Sequence, residues 1–146
     1  MNFWDRSAVV PLLVGESGTA IVREVLSRDQ QMYVWWGTEV ECVFTLARLD
    51  REGVDPSILS AAFDRLAALS EAWNEVAPGA LVRGTAKRLL RVHPLRAADS
   101  LQLAAAWVLA DQNPSSVSIV SLDSRLRDAA RREGFLLLPG EGSTDI

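Results

Sequence analysis

The stretch Val117-Ser118-Ile119-Val120-Ser121-Leu122-Asp123-Ser124-Arg125-Leu126 runs on as a helical pattern to Glu133, and is followed by Gly134 and Phe135-Leu136-Leu137-Leu138. Val117 to Leu122 is a near-continuous apolar run of strand length, the pattern of a central strand covered on both faces. Asp123 ends it, Gly134 sits where the C′ residue of the helix belongs, and Phe135 to Leu138 reads as a last strand. Strand, helix and strand in this order are a parallel βαβ unit. The rest of the chain repeats that alternation.

Upstream, Arg96 to Ala110 is an alanine-rich helix with no internal breaker. Thr85 to Val92 reads as a short basic helix stopped by His93-Pro94, and Asn74 to Val82 as a short strand or turn. Asp55-Pro56-Ser57 opens a helix through Trp73 with Leu59, Phe63, Leu66 and Leu69 as its buried stripe. Thr38 is the expected N-cap of a helix through about Arg51, with Val40, Val43, Phe44 and Ala47 inward. Met32 to Trp36 reads as a buried strand, Thr19 to Arg28 as an amphipathic helix, and Asn2 to Trp4 as a strand running into a loop at Asp5-Arg6-Ser7. The expected architecture is an α/β sandwich: a mostly parallel central sheet flanked by helices.

Composition narrows the chemistry. With 146 residues, 49% of them hydrophobic and 23% charged, the chain suits one folded domain, expected over residues 1–139 with a polar tail at 140–146. A single cysteine, Cys42, excludes internal disulfides and cysteine zinc cages, and reads as a small buried hydrophobe. A single histidine, His93, excludes paired-histidine metal motifs and reads as a helix-end residue rather than a base. Lys87 is the one lysine among 15 basic residues, and no P-loop motif occurs. A net charge of −4 argues against a broad basic coat for nucleic acid. No apolar run reaches the roughly 18 residues of a membrane helix, and Asp5 and Arg6 interrupt the N-terminus, so a soluble cytoplasmic protein is expected. By elimination, chemistry falls to carboxylates.

Four of them stand where strands finish and helices begin. Asp5 and Asp123 each follow an apolar strand, Glu41 lies early in the helix after the second strand, and Asp99 lies in the first turn of the alanine-rich helix. Open parallel sheets bind ligands at this edge. Taken singly, Glu41 and Asp99 only complement helix N-termini, and Asp123 is only an N-cap. Taken together, converging carboxylates without a cation repel one another, and an all-oxygen site suits Mg²⁺ or Mn²⁺. Arg96 and Arg125 lie within a few residues of these acids and are the best candidates for phosphate contact among the clusters Arg83–Arg88–Arg91–Arg96 and Arg125–Arg127–Arg131–Arg132. Trp35, Trp36 and Trp107 read as core, and Trp4 is the tryptophan nearest the acids in sequence. Glu39 and Asp128 read as surface residues.

The pattern Asp5-x-Ser7-Ala8, Val40-Glu41, Leu95-Arg96-Ala97-Ala98-Asp99-Ser100-Leu101-Gln102-Leu103-Ala104 and Ser121-Leu122-Asp123-x-Arg125-Leu126 resembles a PIN domain, and more narrowly the VapC-type toxins of type II toxin–antitoxin pairs. The resemblance spans Asn2 to Leu138. It implies a three-layer sandwich and a Mg²⁺- or Mn²⁺-dependent endoribonuclease acting on RNA. In that family's pattern Asp5, Glu41, Asp99 and Asp123 match the acidic quartet, with Asp5, Asp99 and Asp123 as metal ligands and Ser7 supporting the first Asp. Arg6 departs from the commoner Thr or Ser. The resemblance further implies a small cognate antitoxin. Apolar stripes at Leu12–Leu13, Ile21–Leu26 and Leu59–Trp73 are the candidate surfaces for that partner and for a homodimer, the plainer alternative being that all three are core. The reading from a different class is a non-catalytic PIN-like module that binds RNA or protein.

Overall fold

The three inner strands of the sheet contribute apolar side chains to both of its faces, and this decides how the helices are shared out. The computed structural model describes residues 1–140. The order is β1 (Asn2–Trp4), α1 (Arg6–Leu13), α2 (Thr19–Arg28), β2 (Tyr33–Trp35), α3 (Thr38–Arg51), α4 (Pro56–Ala72), β3 (Asn74–Val76), α5 (Ala80–Val92), α6 (Ala97–Leu109), β4 (Ser118–Val120), α7 (Ser124–Arg132) and β5 (Leu136–Leu138), with a 3₁₀ turn at Pro114–Ser116. The five strands are all parallel, in the order β3-β2-β1-β4-β5, with Phe3 level with Tyr33 and Ile119, and Ile119 level with Leu137. Phe3, Trp35 and Ile119 pack under α5, α6 and α7, whereas Trp4, Val34 and Val120 pack against α1 to α4. The result is an α/β three-layer arrangement with an apolar core on each side of the sheet. Among the described residues no helix is long and apolar enough to cross a membrane.

The strand order reverses between β1 and β4: the chain builds outward from β1 to β3, returns to β4, and ends at β5. That switch point opens a crevice outside the carboxyl ends of β1 and β4. Asp5 follows β1 directly and Asp123 follows β4 by three residues.

The structure corrects several expectations. Asp5-Arg6-Ser7 is no loop, because α1 starts at Arg6 and buries Ala8 to Leu13. Asn74 to Val82 resolves into the edge strand β3 and the start of α5 at Ala80, five residues before the expected Thr85. Gly37, not Thr38, occupies the N-cap of α3. That helix is also turned: Thr38, Cys42, Thr45 and Leu46 face inward, while Val40, Val43 and Phe44 are exposed. Both rows have helical spacing; the inward row contains the smaller side chains, and Thr38 and Thr45 are bonded by Gln102 and Arg6. Phe63 lies off the buried face of α4, and Trp36 is exposed. Leu12, Leu13, Val22, Val25, Leu59 and Leu66 belong to the core, so most of the stripes expected to hold partners face inward, while Ile21, Leu26 and Leu69 stay partly exposed. Apart from Gly140, the expected tail lies outside the described residues.

Candidate active site

Asp5 occupies the N-cap position of α1 but does not cap it. Its carboxylate turns instead to two hydroxyls: Ser7 Oγ donates to Oδ1 at 2.7 Å, and Ser121 Oγ donates to Oδ2 at 3.2 Å. The same hydroxyls receive backbone N–H groups of the loop after β4, Leu122 N–H on Ser7 Oγ at 2.9 Å and Asp123 N–H on Ser121 Oγ at 3.1 Å. Ser7 and Ser121 therefore clasp the two strand ends that flank the switch point. Asp123, by contrast, does cap its helix, its Oδ1 accepting from Arg125 N–H at 2.9 Å and Leu126 N–H at 3.4 Å. The modest reading of Asp123 as an N-cap is thus correct, and Asp123 lines the cleft as well.

Glu41 and Asp99 come from opposite sides of the sheet. Asp99 and Gln102 are three residues apart and share a face of α6. Gln102, itself buried, donates from Nε2 to Glu41 Oε2 at 2.7 Å and to Thr38 Oγ1 at 3.0 Å, tying α6 to α3. Arg6 stands on the other side of Glu41, with Nε 4.0 Å from Oε1. Glu41, Asp99 and Asp123 line one cleft of about 670 Å³ with Arg6, Arg48, Arg96 and Arg125. Asp5 is 3% exposed and lies beneath that surface.

The electrostatics follow from burial and crowding. Burial pushes the Asp5 carboxyl up to about 7, against the two hydroxyl bonds; nearby Asp123 adds to the rise and Arg6 opposes it. Glu41 is raised by burial, and further by Asp99, while Gln102 and Arg6 oppose. Asp99 is raised by burial and by Asp123, against Arg6 and Arg96. Asp99 thus acts on Glu41, and Asp123 acts on both Asp99 and Asp5. Among the described residues, however, no three His, Cys, Asp or Glu side chains form a ready cation cage.

Other candidates fall away. Trp4 is fully buried and cannot touch a ligand. Cys42 is buried, and burial pushes its thiol up to about 12, which leaves it inert. His93 is the C-cap of α5 and meets Glu133 Oε2 at 2.7 Å, away from the cleft. Asp128 pairs with Arg132 at 3.2 Å on the surface of α7. Of the two arginine clusters, only Arg96 and Arg125 reach the cleft. Arg127 is buried and donates to the carbonyls of Ser121, Leu138 and Pro139, so it fastens the ends of β4 and β5. Sequence reasoning missed Ser121, Gln102 and Arg48. The first two had a signal: a hydroxyl at the end of an apolar strand, and a lone amide in an alanine-rich helix.

No known protein family matches the chain, and no curated protein does. The crystal structure of PAE2754 from Pyrobaculum aerophilum is similar in fold, with a TM-score of 0.65 at 18% identity over 93% of this chain and 89% of that one. The likeness extends to the fold alone.

Proposed function

We propose that this chain is a PIN-like, divalent-metal-dependent endoribonuclease, and that its RNA-cleaving centre is the cleft at the switch point. The observation that carries the reading is the convergence of four carboxylates from four elements, three of them with raised proton affinity, beneath a rim of arginines. Such crowding destabilises the ionised state, and a cation relieves it. The donor set fits Mg²⁺ or Mn²⁺: all ligands are oxygens, and Mg²⁺ takes only a few carboxylates and completes its shell with water and phosphate. Asp99 and Asp123, at the cleft wall, and Asp5 beneath would hold it. When bound, such an ion polarises the phosphodiester and makes a water acidic enough to attack near neutral pH. Glu41, oriented by Gln102 and Arg6, is placed to accept a proton at its carboxylate. Ser7 and Ser121 fix the orientation of the Asp5 carboxylate, and Arg96 and Arg125 bind phosphates at the cleft.

The finer form of this reading is a cytoplasmic VapC-type toxin held in check by a small antitoxin. Strong expression of soluble protein then slows growth, and Asp5→Asn relieves it; unimpaired growth overturns the toxin reading alone. The second reading, a non-catalytic binding module, is favoured by the lack of a ready three-ligand cage among the described residues. Titrating Mg²⁺ or Mn²⁺ while following cleavage of a panel of RNAs separates the two. Metal-dependent cleavage lost in Asp99→Asn is the expected result, and folded protein that cleaves nothing leaves only the binding module.

A further inference from the structure

The helix α3 leaves apolar side chains in solvent beside the acids: Val40 is 68% exposed and Phe44 is 60% exposed. Both line the cleft, as does Arg48, and the three stand four residues apart, on one stripe of the helix. The cleft lining carries four guanidiniums, Arg6, Arg48, Arg96 and Arg125, against three carboxylates, Glu41, Asp99 and Asp123. With Asp5 beneath, guanidiniums and carboxylates balance here, whereas the chain as a whole carries −4. A cation held by the carboxylates would make the cleft positive, which is complementarity to a polyanion rather than to an apolar helix. Arg96 and Arg125 are exposed, and Arg48 is tied only to Glu52 on the surface at 3.7 Å.

We propose that Phe44 is a stacking platform for one unpaired base beside the scissile phosphate, with Arg48 on a neighbouring phosphate. Phe44 and Arg48 are one turn apart, about 6 Å along the helix, which is the scale of one nucleotide from base to phosphate. A base within a duplex has no free face to offer, whereas an unpaired one stacks readily on an aromatic ring. The inference rests on the nuclease reading and adds to it a residue that holds a base.

The test is binding of a short single-stranded RNA containing a fluorescent adenine analogue whose emission is quenched by stacking. It is titrated in Ca²⁺, which takes oxygen donors with looser geometry, and the RNA's integrity is checked afterwards. Wild type is expected to bind the strand more tightly than its duplex and to quench the analogue. Phe44→Ala is expected to weaken binding about tenfold. Phe44→Leu, which keeps the apolar bulk without the ring, should lose the quench, and Phe44→Trp should restore it. Leu81→Ala, which removes an apolar residue 75% exposed on α5, should match wild type. Phe44→Ala and Phe44→Leu binding and quenching like wild type, or duplex binding as tight as the strand, overturns the inference while metal-dependent cleavage persists. Loss of a co-purifying protein from Phe44→Ala with RNA affinity unchanged also overturns it and gives the stripe to a protein partner. No binding and no cleavage of any RNA by wild type removes the nuclease reading as well.

Discussion

Asp5 and Glu133 are both withdrawn from water, and the chain treats them in opposite ways. Burial alone would raise Glu133, but Arg88 at 3.0 Å and His93 at 2.7 Å more than offset it and hold the carboxyl below its ordinary range. Arg88 is itself steadied over the Trp107 ring, 5.0 Å from its centroid. Asp5 receives hydroxyls only, lies near a second acid, and is pushed up to about 7. The Glu133 cluster is a finished structural joint between α5 and α7. The Asp5 site carries an uncompensated cost at the sheet's switch point, which is where an external cation is expected to complete it.

The largest effect comes from removing that cost. Between about pH 4 and 7 folded Asp5 keeps a proton that the unfolded chain has released, so stability falls as pH rises through this window, and the loss is complete above it. Asp5→Asn therefore stabilises the metal-free protein at pH 8, by up to about 4 kcal/mol, and has little effect near pH 4. Urea melts at the two pH values check this. Equal gains at both would mean that the Asp5 charge is not the cause.

Next in size, Asp99→Asn is expected to lower metal-dependent cleavage at least about a hundredfold without loss of fold. Glu41→Gln should follow it and Glu39→Gln should not, because Glu41 lines the cleft and Glu39 does not. At the paired end of the comparison, Glu133→Gln loses charge-assisted bonds to Arg88 and His93 and should destabilise by about 2 kcal/mol, read from thermal or urea melts. The smallest contrast lies on α7. Asp123→Asn should weaken Mn²⁺ binding, while Asp128→Asn, at a half-exposed surface pair, should change stability by less than about 0.5 kcal/mol and leave Mn²⁺ affinity alone.

The difference between legible and illegible parts of this chain has a physical cause. Short apolar runs closed by an acid, such as Val117 to Asp123, have the length of covered strands, and alternating with helical patterns they point to the parallel sheet and its acidic edge before any coordinates. The phase of α3 was hidden because Val40, Val43 and Phe44 are the larger apolar residues, yet the fold buries the small Thr38, Cys42 and Thr45. The start of α1 was hidden because Arg6 and Ser7 look like a polar loop, although they serve Glu41 and Asp5 from the first helical turn. Arg127 looked like one more surface charge in a basic run; only the positions of three carbonyls distinguish it. The four acids were legible as a set. Ser7 was legible beside Asp5, whereas Ser121 and Gln102 reach Asp5 and Glu41 through contacts far apart in sequence.

Asp5, Asp99 and Asp123 are proposed to act together in holding a divalent cation. Calorimetric titration of Mn²⁺ at pH 7, in two buffers of different ionisation enthalpy, tests it most directly on wild type, Asp5→Asn and Asp99→Asn. The predicted result is binding to wild type with release of protons, because Asp5 titrates near 7, and severe weakening in both variants. Wild type that binds no Mn²⁺, or binding unchanged in Asp5→Asn and Asp99→Asn, would contradict it.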